Sequence, residues 1–156
     1  MKTSSPHQIS FANAFADLYL DKENGEFALD FRRQEVTVYL TIIQYQALVL
    51  LIQQSVEDNE EFVEYLNWQK DPLQCDDSKV IEVCGPDHIV CMSCAPNCER
   101  VKLTFDLGMA IDLSFADFQG LSSLVKEAQA DLEWRRELLR WNMTENGPDF
   151  AAGGGD

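Results

Sequence analysis

Cysteines are the residues of this chain whose type and spacing most clearly suggest chemistry. Four of the five lie within fifteen residues, at Cys84, Cys91, Cys94 and Cys98. Thiolates this close together can hold Zn²⁺ tetrahedrally or ligate an iron–sulfur cluster. The cluster therefore indicates a metal-binding protein with a structural or redox-sensing role, and His88 lies in the same segment.

The local strand pattern argues against that interpretation. The segment from Val90 to Cys94 reads as a strand, and successive side chains of a regular strand point to opposite faces. Cys91 and Cys94 would then face apart and could not share a metal. Free cysteine is among the most buried residue types, so the alternative is a set of small buried side chains. If the cysteines are buried in this way, no cofactor is expected. If they bind a metal instead, the cofactor is zinc.

Residues suited to catalysis are few. The chain has two histidines, and a nucleophilic pair of His88 with Cys84 or Cys91 lacks a third, orienting group. The sequence has no glycine-rich phosphate-binding loop, because the run of glycines at 153–155 belongs to the terminal tail. We therefore expect no enzymatic activity.

A basic and aromatic stretch differs from the acidic remainder of the chain. Trp134 and Trp141 are two turns apart on a predicted helix, and Arg135, Arg136 and Arg140 lie around them. Tryptophan and arginine are enriched in interface hot spots, so the stretch suggests a surface that docks a protein. The alternative is the end of an amphipathic helix that packs on a sheet.

Composition and charge limit the classes of partner. The net charge is −15, from 27 acidic and 12 basic residues, and such a surface repels nucleic-acid phosphates and anionic lipid headgroups. No apolar run approaches the roughly 20 residues that span a bilayer. The N-terminal residues lack the apolar core of a secretory signal, and the clustered cysteines do not resemble a disulfide framework. We expect a cytoplasmic protein that binds neither nucleic acid nor membrane.

An internal repeat predicts the elements that must position these residues. The segment 41–48 lies over the segment 114–121 at a constant offset of 73, and with one inserted residue the match extends towards the N-terminus. Apolar residues coincide along the two copies: Val38 over Ile111, Leu40 over Leu113, Phe31 over Phe105, Leu29 over Leu103, Phe27 over Val101 and Leu18 over Met92. The ordered series predicts an internal duplication.

Each copy reads as three strands followed by a helix. Alternating apolar residues predict strands at 16–21, 27–31 and 35–40 in copy 1 and at 90–94, 100–105 and 110–113 in copy 2. Thr41 and Ser114 occupy equivalent positions, and both are typical helix N-caps. The helix after Ser114 is long enough to predict a break near Asp131.

The predicted fold is therefore α+β, with two diverged β-β-β-α copies, an approximate internal two-fold, and helices on one face of an antiparallel sheet. Copy 1 spans about residues 10–71 and copy 2 about residues 79–145, within a single domain of residues 1–150. A further helix is expected at 60–68. Residues 151–156 are expected to form a disordered tail.

The helices of the two copies differ in side-chain size. Copy 1 has Ile43, Val49 and Leu50 where copy 2 has Ala116, Ser122 and Ser123. Either the large residues pack against the small ones in a seam between the helices, or they are exposed and bind a partner protein or a second subunit. On the second alternative, or through the tryptophan stretch, the chain is a non-enzymatic interaction module, a small acidic adaptor or assembly subunit. The competing hypothesis is the metal-binding protein that the cysteines suggest.

Overall fold

The computed structural model describes residues 1–54, 81–94 and 100–145. The predicted helix at 60–68, the position of Cys98 and the tail at 151–156 lie outside these residues. The strands are β1 (Lys2–Ser4), β2 (Gln8–Ala12), β3 (Ala16–Asp21), β4 (Phe27–Phe31), β5 (Val36–Leu40), β6 (Ile81–Cys84), β7 (Val90–Cys94), β8 (Arg100–Phe105) and β9 (Ala110–Ser114). The α-helices are α1 (Ile42–Gln53), α2 (Phe115–Ala130) and α3 (Leu132–Glu145).

The strands form two antiparallel sheets. A five-stranded sheet has the order β1-β2-β3-β4-β5, and a four-stranded sheet has the order β6-β7-β8-β9, so within each sheet the strands pair in sequence order. The prediction of an α+β fold with antiparallel strands is confirmed, whereas the prediction of a single sheet is wrong. Apolar alternation specifies which face of a strand is buried, but it does not specify where a sheet ends.

Burial alternates along the strands with the period that the sequence predicts. In β3 and β4 the apolar residues are buried and the residues between them are partly exposed, and Leu18 lies opposite Leu29. In the second sheet Met92 of β7 lies opposite Leu103 of β8. Cross-strand pairs of this kind are the unit from which a sheet gains its stability.

Side-chain caps begin the three α-helices of the described residues. Thr41 Oγ1 accepts a hydrogen bond from the Gln44 N–H at 3.2 Å, and Gln44 Oε1 accepts one from the Thr41 N–H at 3.0 Å. Ser114 Oγ accepts from the Asp117 N–H at 3.0 Å. Asp131 Oδ2 accepts from the backbone N–H three residues later at 2.9 Å. The predicted caps and the break at Asp131 are therefore confirmed. None of the helices within the described residues is long and apolar enough to cross a membrane.

The chain divides into two compact units. One unit joins residues 1–45, which include the sheet β1–β5, to the chain from Gly120 onward, which includes most of α2 and all of α3. The other unit, Gln46–Gln119, joins the sheet β6–β9 to the greater part of α1. Each unit thus combines the strands of one predicted copy with helical residues of the other copy. That the chain is a single domain stays a prediction.

A loop packs closely on a helix in each unit. In the first unit the ring of Phe15 lies on Gly120 of α2, where an added Cβ would be 2.6 Å from Phe15 Cγ. Asn13 Nδ2 donates a hydrogen bond to the Gly120 carbonyl at 2.8 Å. In the second unit Gly85 lies on α1, where an added Cβ would be 3.2 Å from the Ala47 carbonyl oxygen. The missing side chain at position 120 therefore makes room for Phe15.

An ion-pair network at Glu133 joins α3 to the β1 and β3–β4 regions of the first unit. Lys22 Nζ lies 2.7 Å from Glu133 Oε2, and Lys2 Nζ lies 2.9 Å from Glu133 Oε1. Ser4 Oγ donates to Glu133 Oε2 at 2.9 Å. The hydrogen bonds from Lys22 and then Lys2 lower the pKa of Glu133 from 4.5 to about 2, against the opposing effect of burial. Hydrogen bonds with Glu133 and then with Asp131 raise the pKa of Lys2.

The Glu133 network predicts a specific response to acid. A carboxylate whose pKa is lowered by folding stabilises the fold above its unfolded pKa, and this contribution is lost as the pH falls through the folded pKa. The stabilisation by Glu133 is therefore complete above pH 4.5 and disappears between pH 4.5 and about pH 2. The urea midpoint of wild type should exceed that of Glu133→Gln at neutral pH, and the two should converge across this window.

The matched control for this experiment is Glu137→Gln, because among the described residues Glu137 forms a single i,i+3 pair with the exposed Arg140 on the same helix. Such pairs contribute only about 0.2–0.5 kcal/mol, so this variant should follow the wild-type acid response. A difference between wild type and Glu133→Gln that stays constant from neutral pH to pH 2 would contradict the assignment.

Candidate functional site

The hairpin of β6 and β7 brings two of the predicted site cysteines together. Cys84 and Cys91 are directly opposite each other in the strand pairing, with their Cα atoms 4.1 Å apart. They form a disulfide, and both residues are partly buried. The sequence analysis predicted reduced cysteines. The cross-strand register, which places these two sulfurs side by side, could not be read from the sequence.

His88 lies in the turn that connects these two strands. The Gly85 N–H donates to the Val90 carbonyl at 2.9 Å, and the Ile89 N–H donates to the Pro86 carbonyl at 3.2 Å. The two residues between Pro86 and Ile89 both have positive φ, 56° for Asp87 and 55° for His88. Left-handed backbone costs an L-residue roughly 1–2 kcal/mol relative to a right-handed conformation. The hairpin therefore holds an exposed histidine in a conformation that glycine would adopt more easily.

Cys84, His88 and Cys91 form a compact group of metal-ligating atoms. One ligand atom from each residue lies within 4.8 Å of the other two, and Cys91 Sγ is 3.9 Å from His88 Nδ1. His88 is exposed, so one side of the group is open to solvent. The two sulfurs can interconvert between thiols and a disulfide. When they are reduced, the two sulfurs and the imidazole can together bind a soft divalent cation.

The other two cysteines of the predicted metal site are placed differently. Cys94 ends β7, where its backbone pairs with Ile81 and Val101, and Cys98 lies outside the described residues. Within the described residues the third ligand of the group is a histidine and not a thiolate. The sequence contained a signal for it in the spacing Cys84-x3-His88-x2-Cys91, but only the turn geometry shows that the imidazole reaches the sulfurs.

Packing against α1 supports the base of this hairpin. Gly85 is buried, and a Cβ there would lie 3.7 Å from Leu51 Cβ as well as 3.2 Å from the Ala47 carbonyl oxygen. The 3.2 Å approach to a main-chain atom leaves little room for a side chain. Because Gly85 directly follows Cys84, the helix constrains the strand end that carries one of the sulfurs.

The stripe predicted on α1 is only partly exposed. Ile43 is 42% exposed and Leu50 is 44% exposed, whereas Val49 is 6% exposed. Their counterparts Ala116 and Ser123 on α2 are exposed as well. Of the three predicted residues, Ile43 and Leu50 are therefore exposed and Val49 is buried. A helical period of 3.6 places Val49 a full 100° around the helix from Leu50.

The tryptophans predicted to form a docking surface are core residues. Trp134 is fully buried, and its Nε1 donates to Tyr45 Oη at 3.1 Å. Trp141 is 9% exposed; it packs on Gly25, and the Arg140 guanidinium lies 4.8 Å from its ring centroid. Both rings are therefore buried in the described structure, and the docking role of the tryptophan pair stays an untested prediction.

The arginines of this stretch remain on the surface. Arg135, Arg136 and Arg140 are exposed, and Arg140 Nη1 donates to the Lys22 carbonyl and to Glu137 Oε1, both at 3.2 Å. Amphipathicity identified the helix, but which of its faces is covered depends on the strands that pack against it.

Comparison of the chain with protein-family models, with curated proteins and with solved structures finds no match.

Proposed function

We propose that this protein is a non-enzymatic interaction module that binds another protein through the exposed apolar side of α1. The observation that carries the proposal is the exposure of Ile43 and Leu50, 42% and 44%, two turns apart on one helix. When a partner covers large apolar side chains in such positions, each Å² of apolar area removed from water contributes about 25 cal/mol of binding free energy.

Comparison with α2 supports a function for these side chains. Ala116 and Ser123 occupy the corresponding positions and are also exposed, so an exposed position on this kind of helix does not require a large apolar group. The fold therefore does not require isoleucine at position 43 or leucine at position 50, because alanine and serine serve at the equivalent positions of α2. Their exposed area is available for association.

An internal duplication underlies this comparison, and we propose that the two β-β-β-α segments arose from one ancestral unit. Strand pairing supports this proposal. Leu29 is opposite Val38 in one sheet, and Leu103 is opposite Ile111 in the other. The sequence alignment of the two copies places the first pair over the second. The equivalent helix positions 47 and 120 both accept a close loop contact. An experimental structure with different registers in the two segments would contradict the duplication.

The charge of the chain indicates the character of the partner. At −15, two copies of the chain repel each other, and nucleic acid is repelled for the same reason. We therefore propose a protein partner with an apolar docking face and a basic rim, which opposite charge would steer towards α1. Added salt should weaken binding to such a partner, whereas it should strengthen a homodimer.

The decisive variant is Leu50→Asp. Because Leu50 is half exposed, the new carboxylate stays in water in the free protein, and the free energy of unfolding should change by no more than the ~0.5 kcal/mol typical of surface substitutions. In the complex the carboxylate would be desolvated, and binding should weaken at least about tenfold, which corresponds to 1.4 kcal/mol. Titration of the purified partner into wild type and variant measures this.

Ser123→Asp is the matched control, because it adds the same charge at the equivalent exposed position of α2. It should leave both stability and binding close to wild type. A Leu50→Asp protein that unfolds would show that Leu50 belongs to the core. A folded Leu50→Asp that binds the partner as tightly as Ser123→Asp would rule out α1 as the docking surface. Light scattering at low and high salt identifies a homodimer if there is one.

A further inference from the structure

The geometry of the β6–β7 hairpin points to a second site, which does not depend on the docking surface. We propose that Cys84, His88 and Cys91 bind one Zn²⁺ when the cysteines are reduced, and that oxidation to the Cys84–Cys91 disulfide releases the metal.

The distances in the group are close to those that zinc requires. With Zn–S bonds of roughly 2.3 Å and a Zn–N bond of about 2.0–2.1 Å, a tetrahedral site places sulfur and nitrogen about 3.5 Å apart. Cys91 Sγ and His88 Nδ1 are 3.9 Å apart. Two sulfurs on one zinc are about 3.8 Å apart, which residues directly opposite in a strand pair can reach by rotation about χ1.

The backbone of the turn supplies an independent argument. A connection that served only to reverse the chain would most often place glycine at the second of two successive positive-φ positions, yet His88 occupies it. This conformation directs the His88 imidazole to the sulfurs, where one of its nitrogens and both Sγ atoms lie within 4.8 Å of one another. Local strain of this kind is concentrated at binding and catalytic sites.

The ligand set defines the chemical class of the ion and its coordination. Two thiolates and an imidazole favour Zn²⁺ over hard cations such as Mg²⁺ and Ca²⁺. Three protein ligands leave a fourth position of the tetrahedron, and on this hairpin it faces the solvent beside the exposed His88. Water or an external ligand would occupy that position.

Disulfide formation and metal binding exclude each other because both use the same two sulfurs. With hydrogen peroxide as the oxidant, one thiolate attacks a peroxide oxygen, the O–O bond breaks, and a sulfenic acid forms. The second thiolate then displaces the sulfenic oxygen, which leaves as water. In sum, two zinc-bound thiolates, one H₂O₂ and two protons yield one disulfide, one free Zn²⁺ and two waters. The sulfurs lose two electrons, and the peroxide gains them.

The test begins with reduced, metal-free full-length protein titrated with ZnCl₂ against a competing chromogenic chelator. Wild type should bind one equivalent, and the same protein with the disulfide intact should bind none. Loss of a partner that merely orients a ligand weakens metal sites 10–100-fold, so loss of a ligand itself should weaken binding by at least about 100-fold. Cys91→Ser and His88→Gly should both show this loss.

His88→Gly keeps the test independent of folding. Glycine adopts positive φ without strain, so this variant should melt at the wild-type temperature or above it while it loses zinc. Cys75→Ser, which removes the one cysteine outside the cluster, and Cys98→Ser are the controls and should bind as wild type does. Wild-type zinc affinity in His88→Gly would overturn the proposal. Loss of zinc binding in Cys98→Ser would also overturn it, because the site would then be formed by cysteine thiolates that include Cys98.

Oxidation of the zinc-loaded protein tests the second half of the proposal. One equivalent of hydrogen peroxide should release one zinc for every two thiols lost, and dithiothreitol should restore binding. Zinc that stays bound after the two thiols are lost would contradict the release step. None of these measurements depends on association through α1, so either proposal can fail without the other.

Discussion

Replacing Trp134 with alanine is expected to lower the free energy of unfolding by about 3–5 kcal/mol, the range for large aromatic residues removed from a core. Trp134 is fully buried, and its ring makes edge contacts with Phe11, Phe27 and Tyr45 at centroid distances of 5.5–5.6 Å. Tyr45 in turn stacks on Phe27 at 4.5 Å. A cavity at this point would remove contacts from all three rings. Urea unfolding followed by circular dichroism measures the loss.

Trp134→Phe separates packing from hydrogen bonding at the same position. The indole Nε1 donates to Tyr45 Oη at 3.1 Å and to Gln129 Oε1 at 3.2 Å, and Tyr45 Oη donates to Gln129 Oε1 at 2.7 Å. Phenylalanine removes both indole bonds and leaves buried acceptors with fewer partners, which costs about 1–3 kcal/mol. Leu139→Ala, on the exposed side of α3, should stay within about 0.5 kcal/mol of wild type. A stable Trp134→Ala would restore the tryptophan as a candidate docking residue.

Gly120→Ala is expected to destabilise the protein although alanine is the better helix former. Alanine in a helix gains about 1 kcal/mol over glycine, but the new Cβ would lie 2.6 Å from Phe15 Cγ and 2.8 Å from Phe15 Cβ. Carbon atoms pack at about 3.5–4.0 Å, so Phe15 must move together with its loop. Overpacking of this kind costs about 1–3 kcal/mol and sometimes more, so we expect a net loss of about 1–2 kcal/mol.

The double mutant supplies the control for the steric explanation. In a Phe15→Ala background the obstacle is gone, and Gly120→Ala should then stabilise the protein by the helix-propensity term of about 1 kcal/mol. The sign of the effect thus reverses between the two backgrounds, and the coupling energy measures the contact. An equal loss in both backgrounds would mean that Gly120 is required for a reason other than Phe15.

Local patterns in the sequence were sufficient to predict most of the strands and the starts of the helices. The period-two alternation around Leu18, Leu29 and Leu103 predicted strands that the structure contains. The hydroxyl caps at Thr41 and Ser114 predicted two helix starts, because a cap depends on residues within one turn of it. Two short strands at the chain start, β1 and β2, were not predicted, nor was β6. Their sequences are short or flanked by polar residues, and pairing with neighbours defines them.

Exposure on the helices could be predicted only in part. The size difference at positions 43 and 50 left open whether the large residues pack in a seam or are exposed; Ile43 and Leu50 are exposed, while Val49 and both tryptophans are buried. A helical periodicity identifies an apolar face. It does not reveal whether a long side chain at the edge of that face, such as Trp141, is covered by a turn and an arginine.

The amino-acid sequence by itself determined the charge, most of the strands and helix starts, and the segment that contains the clustered cysteines. The tertiary structure alone decided that Cys84 faces Cys91, that His88 reaches them from a positive-φ turn, and that Trp134 is a core residue. The physical reason is the range of the interactions. Strand periods and helix caps depend on residues a few positions apart, whereas strand register, loop conformation and the covering of a helix face depend on packing between segments distant in the chain.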